Sequence, residues 1–83
     1  KITLGDWVTI APRVIILSHL SVGFDGHPLL DKYPKVVGHT HIGAGSFVGV
    51  NAVITNNVAI GKEVIIGANT VVTKSVPDHT KVI

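Results

Sequence analysis

Printed in groups of six, residues 36–71 read VVGHTH IGAGSF VGVNAV ITNNVA IGKEVI IGANTV, and every group opens with valine or isoleucine. The same period reaches Val72, and it is also present earlier in the chain at Leu4, Ile10 and Ile16. An α-helix repeats its apolar face about every 3.6 residues and a strand every two residues, so a period of six is typical of neither alone. It predicts an all-β solenoid of short, stacked strands.

Two further positions in each group of six support this count. The fourth residue after each leading aliphatic is small or apolar, and the third is often glycine or asparagine, as at Gly45, Asn51, Asn57 and Asn69. These residue types best tolerate a left-handed backbone, so we expect a corner at the third position. In this count Val76 is a fourth-position residue, and residues 78–83 form a last, irregular group.

Three groups of six would complete one triangular coil, so residues eighteen apart are predicted to stack at about 4.8 Å. One such column contains Val36, Ile54 and Val72, which are all β-branched, as a buried pleated surface prefers. Residues 4–21 then form a first coil, and residues 36–83 form nearly three more.

Composition bounds the class of protein. The chain is 46% apolar with a mean hydropathy of +0.50, which excludes a disordered chain. No apolar run approaches the length of a membrane span, and the net charge of +2 is dispersed, so we expect no membrane or nucleic-acid partner. The absence of cysteine and of a leader pattern makes the cytoplasm the expected location. We expect a single domain over residues 1–83, and because both ends fall inside the repeat, a piece of a longer chain.

The repeat is interrupted at residues 20–35. From position 19 the chain reads HLSVGFDGHPLLDKYP, which holds two histidines, two aspartates, two prolines and two of the four aromatic residues. Insertions in solenoids project as loops, often on the binding face, so this segment is predicted to be an extruded loop that carries a site. A surface loop that merely tolerates insertion is the alternative.

Three stretches together resemble the hexapeptide-repeat acyltransferases, in particular the sugar and polysaccharide O-acetyltransferases. They are ILSH at 16–19, IGAGSFVG at 42–49 and IGANTVVTKSVP at 66–77. The resemblance implies a left-handed parallel β-helix with one extruded loop, a homotrimer, and acetyl-coenzyme A bound between neighbouring subunits, with no metal. It further implies an acetyltransferase that acts on a hydroxyl or amine of a sugar or similar small acceptor.

His19 is the predicted general base. Acetyl transfer to an alcohol needs a group that takes the hydroxyl proton near neutral pH, and a neutral imidazole suits that task. His19 ends the last strand before the loop, and it matches the family position of the catalytic histidine. His27, in a Gly-His-Pro run, is the alternative base, and a surface or subunit-contact histidine is the structural alternative for His19.

The cofactor candidates are carried over from family position. They are Phe47, Gly49, Gly67, Ala68, Thr73 and Lys74, although Gly67 and Ala68 would also be explained by a turn and Lys74 by a solvated charge. For the acceptor the candidates are Asp25, His27 and Asn51, with Asp31 and Tyr33 as further polar groups of the loop. If the loop spans a whole face, Val36 stacks on Leu4, Ile16 lies beneath Val48, and Asn51 lies one rung above His19. Asn51 would there orient the imidazole or contact the acceptor, with a corner role as the alternative.

Two other function classes remain open at this stage. His39 and His41 lie two apart on a predicted strand, and with His19 or His27 of another chain they could form a three-histidine metal site, as in a γ-class carbonic-anhydrase-like enzyme. The second alternative is a non-catalytic solenoid that serves assembly or regulation.

Overall fold

The computed structural model describes residues 1–20 and 36–83, together with Gly26, Pro28, Leu29 and Lys32. The strands are β1 (Ile2–Leu4), β2 (Thr9–Ile10), β3 (Ile15–Ile16), β4 (His19–Leu20), β5 (Val36–Val37), β6 (Thr40–Ile42), β7 (Phe47–Val48), β8 (Val53–Ile54), β9 (Ala59–Ile60), β10 (Ile65–Ile66), β11 (Val71–Val72) and β12 (Lys81–Val82). Within this described part of the chain, no helix has the length and apolar character needed to cross a membrane.

Successive strands lie on the three faces of a prism. The first face holds β1, β6 and β9, the second holds β2, β7, β10 and β12, and the third holds β3, β8 and β11. Strands pair in parallel within each face, so β1 to β3, β6 to β8 and β9 to β11 form three stacked coils. A fourth coil contains β12 and Val76, which bridges to Ile60. The predicted all-β solenoid of stacked short strands is confirmed.

The predicted register is correct above the loop and wrong below it. Val72 stacks on Ile54, eighteen residues away, as expected. However, the strand beneath Ile54 contains Ile16, not Val36. Val36 instead pairs with Leu20 in an antiparallel ladder between β4 and β5. The chain therefore leaves the solenoid at β4 and returns at β5, and these two strands pair with each other.

The alternative register is also wrong. Leu4 pairs with Ile42, whereas that register stacked Val36 on it. Val48 lies above Ile10, whereas that register placed Ile16 beneath it. Backbone hydrogen bonds pair each strand with the strand on the same face of the neighbouring coil. The number of residues in the loop therefore does not change which strands pair.

The last coil is two residues shorter than the repeat predicts. The repeat predicts Val76 at the fourth position after Val72, but Val76 occupies the leading aliphatic position, sixteen residues beyond Ile60. Val82 follows six residues later and pairs with Ile66. The shortening is accommodated at Ser75, whose hydroxyl accepts the Ala59 N–H at 3.0 Å.

The core is the column of leading aliphatics. Ile42, Val48, Ile54, Ile60 and Ile66 are at most 1% exposed. The fourth-position residues Ala52, Val58 and Val64 line the same interior, as does the hydroxyl-bearing pair Thr40 and Ser46. Burial is incomplete in the first coil, where Leu4 remains 50% exposed. Most of the apolar stabilisation therefore lies in the second and third coils.

The corners have the backbone that the sequence predicts. Left-handed φ values between 52° and 62° occur at Trp7, Arg13, Asn51, Asn57, Glu63, Asn69 and His79, and Gly45 has a φ of 75°. Each of these residues follows a leading aliphatic by three positions. Because His79 follows Val76 by three positions, Val76 is also a leading aliphatic. Asparagine and glycine adopt this conformation at little cost, which explains their frequency at the third position.

Replacing Ile54 with alanine should lower the free energy of unfolding by about 2–5 kcal/mol, because the site is buried and closely packed. Leu4→Ala is the matched control, since Leu4 has the same position in the repeat but is half exposed, and its loss should be clearly smaller. Urea unfolding of both variants measures the difference. Equal losses would contradict the assignment of the core to the second and third coils.

Candidate functional site

His19 lies at the base of the loop. It is three residues after Ile16, the corner position, but its backbone is not left-handed; it forms β4 and pairs with Val37 of β5. Its side chain is exposed. The chain thus leaves the solenoid at His19, and the imidazole stands where the edge of the prism meets the loop.

A short hydrogen-bonded cluster closes the base of the loop. Gly38 N–H donates to the Ser18 carbonyl at 3.2 Å. The buried Thr40 hydroxyl donates to the Leu17 carbonyl at 2.7 Å and accepts the Asn57 N–H at 3.1 Å. Sequence reasoning did not single out Thr40, which it counted only as a small core residue. A hydroxyl-bearing residue at a mostly apolar position of the repeat is the signal that could have found it.

Thr73 and Lys74 share an edge of the prism with His19. They follow β11, as His19 follows β3, and both strands belong to the third face. Two ladder steps separate the coils, or roughly 10 Å at the usual strand spacing. Both side chains are exposed. The structure therefore brings the predicted base and two predicted cofactor residues to one edge.

The other cofactor candidates lie elsewhere on the prism. Gly49 and the Gly67–Ala68 pair form the next edge, between the second and third faces, and Phe47 is 42% exposed on the outer side of β7. A Cβ on Gly49 would come within 2.7 Å of the Ala68 amide nitrogen in the coil above. Close stacking of coils therefore explains this glycine without a ligand.

Asn51 does not lie above His19. It belongs to the Gly49 corner, has a φ of 62°, and its N–H donates to the Pro12 carbonyl at 3.2 Å. The expected proximity of Asn51 to His19 is wrong, because it depended on the alternative register. Asp25 and His27, as well as Asp31 and Tyr33, lie outside the described residues.

His39 and His41, the strand histidines of the metal-site alternative, are both exposed. The His41 Nδ1 lies 2.6 Å from the Thr3 hydroxyl on the first face, which gives this imidazole a hydrogen-bond partner in the solenoid itself. Among residues 1–20, 36–83 and the four isolated described positions, no three histidine, cysteine or acidic side chains group as metal ligands.

An open groove of about 600 Å³ runs along the first face and its following corner. Its floor consists of small residues such as Gly43 and Gly61, and Asp6, Lys62 and Asp78 stand around it. Asp78 accepts the Lys62 N–H at 2.8 Å. Among the candidate residues that the structure describes, His19, the six cofactor candidates and Asn51, none lines this groove.

Comparison with known proteins agrees with this architecture. Residues 39–74 match the family described as bacterial transferase hexapeptide (six repeats). The chain is 38% identical over 82 residues to probable serine acetyltransferase 1 of Oryza sativa subsp. japonica, an alignment that covers 99% of this chain and 25% of that protein. It also matches the crystal structure of a mutant of AntD, an N-acyltransferase from Bacillus cereus, in complex with dTDP and coenzyme A. That match has a TM-score of 0.78 at 24% identity over 93% of this chain and 44% of the other.

Residues 39–74 carry the repeat of the hexapeptide transferases, and the expected left-handed parallel β-helix is confirmed. The likeness to the N-acyltransferase is one of fold alone, at its level of identity. The chain spans about a quarter of the length of the serine acetyltransferase and less than half of the N-acyltransferase. Neither of these two proteins is named as a sugar O-acetyltransferase.

Gly49→Ala should destabilise the protein by about 1–3 kcal/mol even without any ligand, because the new methyl group meets backbone that cannot move aside. Gly67→Ala should cost less, since the nearest atom to its Cβ, the Val82 carbonyl oxygen, is 3.2 Å away. Thermal unfolding of the two variants measures the order. A larger loss of stability in Gly67→Ala than in Gly49→Ala would show that coil stacking does not explain the presence of glycine at position 49.

Proposed function

We propose that this chain is the β-helical part of an acetyl-coenzyme A-dependent acetyltransferase in which His19 acts as the general base. The observation that carries the proposal is the common edge shared by His19, Thr73 and Lys74. The acceptor is a hydroxyl or amine of a small molecule, and a sugar is the acceptor class that the sequence favours. The name of the relative from Oryza sativa supports acetyl transfer as the reaction.

The chemistry follows from the properties of the exposed groups. Acetyl-coenzyme A, when bound, supplies the acetyl thioester. Neutral His19 takes the acceptor proton as the acceptor oxygen or nitrogen attacks the acetyl carbonyl carbon, and it returns that proton to the departing thiol sulfur. Exposure of His19 leaves the imidazole accessible to an acceptor molecule. The Lys74 ammonium and Thr73 hydroxyl suit phosphate oxygens, as a cation and a hydrogen-bond donor.

The distribution of the residues supports a site completed by a second copy of the chain. Gly49 and Ala68 lie on one edge of the third face, and His19 lies on the other. That face is apolar on its outer side, where Ile15 is 52% and Val71 is 60% exposed. A homotrimer, as the family resemblance implies, would cover this face and bring His19 of one subunit towards the Gly49 and Ala68 edge of the next.

His19→Ala should lower the rate of acetyl transfer by about 10²- to 10⁴-fold, the range expected for loss of a general base. The control is His79→Ala, because His79 is also exposed but stands at a different corner, 3.4 Å from Glu63. Rates are measured by release of free thiol from acetyl-coenzyme A with a panel of small acceptors. A His19 variant with nearly unchanged rate would exclude this residue as the base.

Lys74→Ala should weaken acetyl-coenzyme A binding by about tenfold, as expected for one charge-assisted contact to phosphate. Lys62→Ala is the matched control, since Lys62 is an exposed lysine at the corner between the first and second faces. Isothermal titration calorimetry measures both. Equal weakening in the two variants would indicate a nonspecific charge effect and would contradict the assigned phosphate contact.

A further inference from the structure

The corner at which the loop leaves lacks one backbone hydrogen bond that other corners have. Elsewhere the third residue of a corner donates its N–H to the second residue of the corner below, as in Asn51 to Pro12, Glu63 to Ala44 and Asn69 to Val50. At the loop corner the equivalent acceptor is the Ser18 carbonyl. That carbonyl instead accepts the Gly38 N–H, so the Asn57 N–H is left without its regular partner.

A second backbone bond, which two of the other corners make, is also missing there. In the Gly43 and Gly49 corners, the carbonyl of the first residue accepts the N–H of the residue three further on, namely Ser46 and Ala52. The equivalent residue after Leu17 is Leu20, which has already left the coil and pairs in β4. The Leu17 carbonyl therefore does not receive this bond.

One hydroxyl provides a partner to both backbone groups. The Thr40 Oγ1 donates to the Leu17 carbonyl at 2.7 Å and accepts the Asn57 N–H at 3.1 Å. Thr40 is the first strand residue of the coil after the loop, and it is fully buried. Both hydrogen bonds are partly shielded from solvent, and a backbone group left there without a partner is costly, so we expect this hydroxyl to help close the stems of the loop.

We propose that Thr40 is a positioning residue for His19, acting through the Leu17 carbonyl, two residues before the imidazole. The bond ties the departing stem to the returning one, and the contact with Asn57 ties both to the coil above. His19 thereby keeps its place relative to Thr73 and Lys74 on the shared edge. This inference rests on the proposed function of His19 but concerns a residue that touches neither the acceptor nor the cofactor.

Ser46 provides a matched control within the same chain. It has the same position in the repeat, two residues before a leading aliphatic, and it is 1% exposed. Its hydroxyl also makes two bonds, donating to the Gly61 carbonyl at 2.9 Å and accepting the Val64 N–H at 3.0 Å. Its corner carries no insertion and no candidate catalytic residue.

The test compares Thr40→Val, Thr40→Ser and Ser46→Ala in the intact chain. Thr40→Val keeps the shape of the side chain and removes the hydroxyl, and it should lower kcat by about ten- to a hundredfold through misplacement of His19. The KM for acetyl-coenzyme A should change little. Thr40→Ser should restore most of the rate, and Ser46→Ala should leave kcat near the original value despite a similar loss in thermal stability.

A measurement that needs no activity separates this inference from the proposed function. The ring Cε1–Hε1 resonance of His19 in NMR spectra should shift or broaden in Thr40→Val and remain unchanged in Ser46→Ala. If wild-type protein proves inactive but this difference is seen, the positioning role stands and the acetyltransferase proposal fails. If His19 is unchanged in Thr40→Val, or if both variants lose activity in proportion to stability, the positioning role is overturned.

Discussion

The parallel backbone ladder between coils is the constraint on which the rest of this structure depends. Each coil donates to and accepts from its neighbours at regular positions, as in Gly43 N–H to the Ile60 carbonyl at 2.8 Å. Because coils must stack closely all round the prism, every corner has to turn within three or four residues. This requirement explains the left-handed third residues and the glycines whose Cβ would meet the next coil. It also aligns the outward side chains into ladders along the edges and faces.

The candidate site arises where this constraint is locally broken. The loop leaves the third face at His19 and returns before Thr40, and β4 and β5 pair with each other in place of the coil. The solenoid continues above the break without a change of register, so Thr73 and Lys74 remain on the edge that carries His19. A regular stack of coils is well suited to hold a side chain in place at the corner where the chain leaves it.

Much of the fold could be predicted from the sequence, because the period of six encodes both the core column and the corners. Ile54 and Asn57 are in the places expected of them. The register across the loop could not be predicted, since the ladder aligns Ile16 with Ile54 whatever the length of the insertion. The shortening of the last coil could not be predicted either, since the ladder aligns that coil with its neighbour whatever its length. Thr40 was missed because its partner Leu17 lies 23 residues away, across a segment whose path the period does not determine.

Native mass spectrometry of the chain with and without acetyl-coenzyme A tests the central claim most directly. The proposed function predicts a trimer that takes up as many as three molecules of acetyl-coenzyme A, since each site would use His19 of one subunit and the Gly49 and Ala68 edge of the next. It further predicts that replacing exposed Val71 with glutamate yields monomers without bound cofactor. A monomeric wild-type chain that still binds acetyl-coenzyme A would contradict the shared site, and a trimer without any cofactor affinity would contradict the acetyltransferase assignment.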